Sequence, residues 1–192
     1  MANVDSAFGL RPVRYLSGAP YNGACRRYYV DTAGSNLFIG DPVIVQGTGQ
    51  SDGTADVGIA TGGASNYITG VIVGFDVAND STPNLNTIYM ASGASGYVFV
   101  ADDPDLLFEI QEDSVGSTLD SGAVSEECVL VSGTGSTTTG LSGWELDSSS
   151  AGSDNGQVQI VELAHRSDNE IGANAKWLVK IMLHSYRSTD GV

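Results

Sequence analysis

Between Tyr28 and His165 the chain contains no lysine and no arginine, although it is 192 residues long. The eight basic residues sit at the two ends: Arg11, Arg14, Arg26 and Arg27, then Arg166, Lys176, Lys180 and Arg187. The middle holds 19 of the 23 carboxylates, and the formal net charge is −15. Such a polyanion repels phosphate backbones and anionic lipid, so neither nucleic acid nor a membrane surface is an expected partner. Cysteine is scarce too. Cys25 and Cys128 are too few and too far apart for a disulfide framework or a metal-ligand spacing, and read as separate thiols. Apolar runs such as Val71-Ile72-Val73 are far too short to span a bilayer. The polar start, Met1-Ala2-Asn3-Val4-Asp5, offers no signal-peptide core, so synthesis in a cytoplasm is expected.

Chemistry is equally thin. Only His165 and His184 could act as imidazole bases, and no Gly-x-Ser-x-Gly elbow accompanies them. Asp102-Asp103-Pro104-Asp105 is the best candidate for a hard cation. It is shorter than a calcium loop, however, and Pro104 fits an ordinary acid-rich turn. Gly47 to Gly53 lacks the lysine and hydroxyl of a phosphate cradle and reads as a loop. The expectation is a protein with no cofactor and no enzymatic activity.

What the chain does have is 25 glycines among many Ser, Thr, Asn and Asp residues, punctuating short apolar runs. That mixture suits many short strands joined by turns and works against long helices. Arg26–Val30, Val43–Val45, Val57–Ala60, Tyr67–Phe75, Asn86–Met90, Tyr97–Val100 and Gln157–Leu163 read as strands. Leu37–Ile39 reads as another, followed by a turn at Gly40-Asp41-Pro42. Glycines inside Tyr67–Phe75 suggest a bend or close backbone approach. In Leu106–Gln111, alternation predicts a half-buried strand. Ser114–Cys128 is ambiguous, with room for a helical turn. Lys176–Leu183 fits either a strand face or a helix stripe, and strand is favoured because no cap precedes the run. The predicted fold is all-β, a barrel-like or sandwich domain of many short strands over residues 25–192, with an extended N-terminal arm over residues 1–24. In the arm, Phe8, Leu10, Val13 and Tyr15 have no local core of their own, and Arg11 and Arg14 lie among them. Packing back on the domain and anchoring in a partner are both open at this point.

Several strings are distinctive. Asn3-Val4-Asp5 leads into Phe8-Gly9-Leu10-Arg11-Pro12-Val13-Arg14 and Gly18-Ala19-Pro20-Tyr21-Asn22-Gly23. Val100-Ala101-Asp102-Asp103-Pro104-Asp105 is followed by Phe108-Glu109-Ile110-Gln111-Glu112-Asp113. Later come Thr139-Gly140-Leu141-Ser142-Gly143-Trp144-Glu145-Leu146-Asp147 and Asp168 through Val179. In these blocks the chain resembles the head decoration, or capsid cement, proteins of tailed bacteriophages. The resemblance implies a structural virion protein on the outer surface of the head, typically a homotrimer. Such a subunit bridges neighbouring major capsid protein subunits against the pressure of packaged DNA. On that reading Phe8, Leu10, Arg11, Val13, Arg14 and Tyr15 are the partner-binding residues. Two alternatives stand beside it. One is another minor virion component, of the tail or head–tail junction. The other is a β carbohydrate-binding module using Trp144, Tyr97 and Phe99 as sugar platforms.

Overall fold

Five short strands close a barrel in the first half of the computed structural model, which describes residues 3–76, 86 and 88–187. They are β2 (Arg26–Val30), β3 (Pro42–Gly49), β4 (Ala55–Ile59), β5 (Gly70–Phe75) and β6 (Gly96–Ala101), hydrogen-bonded in the closed order β2-β4-β3-β5-β6. A second sheet has the order β1-β7-β12-β11-β8, built from β1 (Arg11–Tyr15), β7 (Leu106–Gln111), β12 (Lys176–Ile181), β11 (Val158–Leu163) and β8 (Glu127–Cys128). A two-stranded ribbon, β9 (Leu130–Val131) with β10 (Glu145–Leu146), completes the all-β architecture. Only single 3-10 turns interrupt it among the described residues, at Ser121–Ala123, Ser148–Ser150 and Ser185–Arg187. The first falls in the segment that the sequence left ambiguous.

Two cores follow from side-chain alternation. Tyr28, Val30, Val43, Val57, Ile72, Val98 and Val100 fill the barrel. Leu10, Phe108, Ile110, Trp177, Val179, Ile160 and Val158 line the inner face of the second sheet and pack on Val71, Ile68 and Ala101 of the barrel side. Val71 and Ile72 are neighbours on β5, yet both are fully buried, because one faces the sheet and the other the barrel interior. The ambiguous C-terminal run is a strand. β12 lies between β7 and β11, with Trp177 opposite Ile110 and Val179 opposite Phe108. A helix there would strand two ladders of backbone groups. The glycine expectation also holds at Gly70, where an added Cβ would lie 2.5 Å from the carbonyl oxygen of Ala101.

Other expectations change. β7 is buried on both faces, not one. Its second face carries Leu107, Glu109 and Gln111; the Glu109 carboxylate is met by Arg11 and Arg166, and Gln111 by the backbone N–H of Ser6. Gly47–Gly49 belongs to β3, so only the hairpin tip beyond Gly49 is loop. Leu37 and Ile39 make isolated bridges, to Met90 and Leu141, in place of a strand of their own. In the segment Asn86–Met90, Thr87 lies outside the described residues, as do Met1 and Ala2 of the expected arm.

The largest change concerns the segment expected as an arm. Residues 11–15 are β1, an integral strand paired antiparallel with β7. Leu10 sits in the core, only 1% exposed, and its N–H donates to the carbonyl oxygen of Gly40 at 3.0 Å. The segment expected as an arm therefore shares the core of the second sheet, with Leu10 inside it and Tyr15 and Tyr21 packed against it. The physical reason is lateral. β7 has an open edge, and an extended segment with alternating apolar side chains satisfies it. That new edge is covered in turn, since the Tyr15 N–H donates to Ala19 O at 2.8 Å and the Tyr21 N–H to Val13 O at 3.0 Å.

Asp41 marks the turn beneath this junction. It is buried, and burial pushes its carboxyl from the ordinary 3.8 up to about 6 against the opposing hydrogen bonds from Ser142 and the Phe38 N–H. The folded value lies above the unfolded one. Asp41 therefore supports the fold fully below about pH 4, and that support is lost as pH rises through about 6. Asp41→Asn keeps an acceptor for the Phe38 N–H without a charge. Its stability should match the parent near pH 4 and exceed it by up to roughly 3 kcal/mol at pH 8. Thermal unfolding of both proteins at the two pH values checks this; a constant difference would refute the assignment.

Candidate partner-binding surface

The structure divides the six residues singled out in the sequence into two groups. Phe8 and Leu10 are buried in their own subunit and Tyr15 packs against the same core, so in this fold they are structural anchors first. Arg11, Val13 and Arg14 reach solvent. A register shift between Pro12 and Arg14 makes Val13 the extra residue of a β-bulge, and its side chain is 37% exposed. Leu16, just beyond β1, is 51% exposed. Two aliphatic side chains thus stand on one hairpin, residues 11–21, which no sequence signal separated from their buried neighbours.

Beside the hairpin is an apolar groove of about 210 Å³. Phe8, Pro12 and Tyr21 form one wall, and Ile39, Val73 and Leu141 the other. The guanidinium of Arg11 lies over the Phe8 ring, 4.4 Å from its centroid. Ile39, Val73 and Leu141 come from three segments far apart in the chain, the last between β9 and β10, so no local pattern could have grouped them with Phe8.

The segregated charge seen in the sequence is cancelled by folding. Arg11 and Arg166 both reach Glu109, at 3.8 and 2.9 Å. Arg14 pairs with Glu162, Arg26 with Asp102 at 2.6 Å, and Arg27 with Asp52 at 3.1 Å and Asp76 at 3.7 Å. Lys180 and Arg187 share Asp105, and Lys176 is buried. The terminal strands carry the cations, and they are neighbours of strands from the acidic middle. Seven of the eight basic side chains thus have a carboxylate within 4 Å in the same subunit, while Arg11 and Arg26 remain half or more exposed. Arg11 and Arg14 hold internal carboxylates, which makes them less direct reporters of docking than Val13 and Leu16.

The same pairings dismantle the cation candidate. Asp102 accepts from Tyr28 Oη at 2.6 Å as well as from Arg26, Asp103 accepts from the Asp105 N–H at 2.8 Å, and Asp105 faces Lys180 and Arg187. Among the described residues, no group of three or more His, Cys, Asp or Glu side chains is placed to hold a metal ion. His165 is exposed beside Glu162. His184 is buried, its Nδ1 accepts from the Tyr186 N–H at 3.2 Å, and burial lowers its affinity for a proton. Cys25 and Cys128 are free thiols, one exposed and one buried, and burial pushes the Cys128 thiol up to about 11. Of the aromatic platforms considered for sugar, Trp144 lines a cleft but is itself buried, and the Tyr97 ring lies under Arg27 and against Tyr29. No helix among the described residues is long and apolar enough to cross a membrane. No family model, no curated protein and no solved structure matches the chain.

Proposed function

We propose that this protein is a structural subunit of a virus particle, seated as a trimer on the outer surface of a phage head, where it bridges major capsid protein subunits. The supporting observation is the way both end segments cross between the two β bodies. Near the N-terminus, Leu10 bonds to Gly40 beside the barrel while β1 pairs with β7 of the sheet. Near the C-terminus, β12 leaves the sheet and residues 183–185 bond to Ile68, with Ser185 Oγ 2.9 Å from Thr69 Oγ1. Tyr186 Oη then meets Tyr28 Oη at 2.9 Å. Pulling either described end loads several hydrogen bonds along strands, together with buried apolar contacts. A subunit that opposes outward pressure needs that kind of continuity. The blocks that resemble cement proteins supply the rest of the argument.

In this reading Val13, Leu16 and the groove beside Phe8 form a foothold on the capsid protein, with Ile39 at its margin. A stable contact buries on the order of 1,600 Å² in total. Three linked copies make the later contacts intramolecular, raising avidity by about 10²–10⁴, so each foothold can be modest. Binding is then confined to the expanded lattice, where the footholds have the correct spacing.

The first test is a mass-spectrometric count of the chain in purified virions, expected to approach the major capsid protein in abundance. A handful of copies would indicate a tail or junction component instead. The second is head binding by Val13→Asp/Leu16→Asp. Both side chains are exposed, so the fold should persist while head binding weakens at least about 100-fold, as expected when aliphatic anchors are replaced by charge. Undiminished binding by that variant, or equal binding to unexpanded shells, would overturn the reading.

A further inference from the structure

Asparagine followed directly by glycine occurs twice in the chain, at Asn22-Gly23 and at Asn155-Gly156. Glycine has no side chain to shield its nitrogen, so in this dipeptide the main-chain nitrogen can reach the carbonyl carbon of the preceding side chain. The fold treats the two pairs in opposite ways.

Asn22, Gly23 and Ala24 are exposed and lie between β1 and β2, outside any strand. A Cβ on Gly23 would meet nothing within 4 Å, and the Gly23 N–H has no hydrogen-bond partner among the described residues. The Ala24 N–H donates to Asn22 Oδ1 at 3.2 Å. That bond turns the amide toward the main chain that follows, and it meets the oxygen on which charge develops when Cγ is attacked. Asn155-Gly156 is held on both sides of its peptide group. The Gly156 N–H donates to Glu127 Oε2 at 2.8 Å, and Asn155 O accepts from the Ser65 N–H at 3.0 Å. Gly156 is buried, and a Cβ there would lie 2.7 Å from Glu127 Cβ and 2.8 Å from Cys128 N. The peptide plane cannot turn its nitrogen onto Asn155 Cγ without breaking both bonds, one of them to a charged group.

We propose that Asn22 is a self-modification site, converted to aspartate and isoaspartate through a succinimide, and that the fold protects Asn155 from the same reaction. A solvent base takes the Gly23 N–H proton, and the nitrogen forms a bond to Asn22 Cγ. The bond from Cγ to the amide nitrogen breaks, and that nitrogen takes a proton from water and leaves as ammonia. Water then opens the ring. Attack at Cγ gives aspartate, and attack at the main-chain carbonyl gives isoaspartate, whose backbone runs through the side chain. No oxidant or reductant takes part. The product places a carboxylate directly after Tyr21, which forms part of one wall of the apolar groove and closes the hairpin through its N–H to Val13 O. The reaction is independent of the head-binding role and is read on the free protein.

The test incubates the full chain at mildly alkaline pH in water enriched in heavy oxygen. Mass spectrometry follows the tryptic peptide 15–26 and the peptide 146–162 released by a glutamate-specific protease. Replacement of the amide by a carboxylate carrying heavy oxygen should appear at Asn22 at least about tenfold faster than at Asn155, with isoaspartate among the Asn22 products. In concentrated urea, where the bonds to Glu127 and Ser65 are lost, the two rates should converge. Gly23→Ala, at an open and exposed position, should slow the reaction at Asn22 at least about tenfold in the folded chain. Equal rates in the folded chain, an unchanged preference for Asn22 in urea, aspartate without isoaspartate at Asn22, or an undiminished rate in Gly23→Ala would each overturn the proposal.

Discussion

Deletion of the first 22 residues is expected to unfold the second sheet, not to release a dispensable tether. The deletion removes β1, whose loss bares the β7 edge, and it removes Leu10 and Phe8 from buried positions. Truncating one buried leucine to alanine costs about 2–5 kcal/mol in comparable cores. Loss of the strand adds the bonds from Leu10 N–H to Gly40 O and from Leu16 N–H to Asp105 O, and the Arg11–Glu109 and Arg14–Glu162 pairs. Glu109 is nearly buried and would keep Arg166 alone. A domain of this size has only about 5–15 kcal/mol in reserve. Circular dichroism and limited proteolysis of the truncated chain should therefore report loss of cooperative unfolding. A truncated protein that melts with the parent's cooperativity would show that β1 is peripheral after all. Leu10→Ala separates the packing contribution from the strand and should lower stability without abolishing the fold.

Gly9→Ala is the sharpest single change. Gly9 has φ of +71°, and a Cβ there would lie 2.5 Å from both the Gly40 carbonyl oxygen and Ser142 Cβ. Gly40, with φ of +97°, would in turn place a Cβ 2.5 Å from Phe8 O. The N-terminal segment and the 38–41 turn therefore cross backbone on backbone. A left-handed conformation costs an L-residue about 1–2 kcal/mol, and overpacking typically costs about 1–3 kcal/mol more. The joint expectation is a loss of about 2–5 kcal/mol, read from urea unfolding. The control is Gly18→Ala, where φ is +89° but open space surrounds the added Cβ. It should show the conformational cost alone. Equal losses at the two positions would mean that the crossing is loose and can yield.

These effects mark where the sequence was readable. Short apolar runs bounded by turn residues identified β2, β6 and β11, and the missing cap favoured strand over helix for β12, whose periodicity fitted both. The sequence also suggested a bend or close backbone approach within residues 67–75, and Gly70 shows the close approach. It missed the burial of both faces of β7, since Glu109 is met by Arg11 and Arg166 and Gln111 by residues 5–6, which lie tens of residues away. It likewise could not see that Phe8 and Leu10 are taken up internally while Val13 and Leu16 are left outside. That choice depends on how the segment meets β7 and the 38–41 turn: Leu10 bonds to Gly40, the bulge leaves Val13 without a partner, and Leu16 lies beyond the strand.

The surface candidate shows the same division. The hairpin was legible as an apolar and basic segment without a local core. Its groove was not, because Ile39 before β3, Val73 of β5 and Leu141 between β9 and β10 are brought to it from stretches far apart in the chain.

The sequence by itself determined the all-β class, because short apolar runs broken by glycine and polar turns can bury their side chains only as strands. It also determined the excess of negative charge, which no folding can remove. The tertiary structure alone decided where the eight cations go. Strand order sets the terminal segments beside the acidic middle, and opposite charges a few ångströms apart neutralise one another however distant they are along the chain.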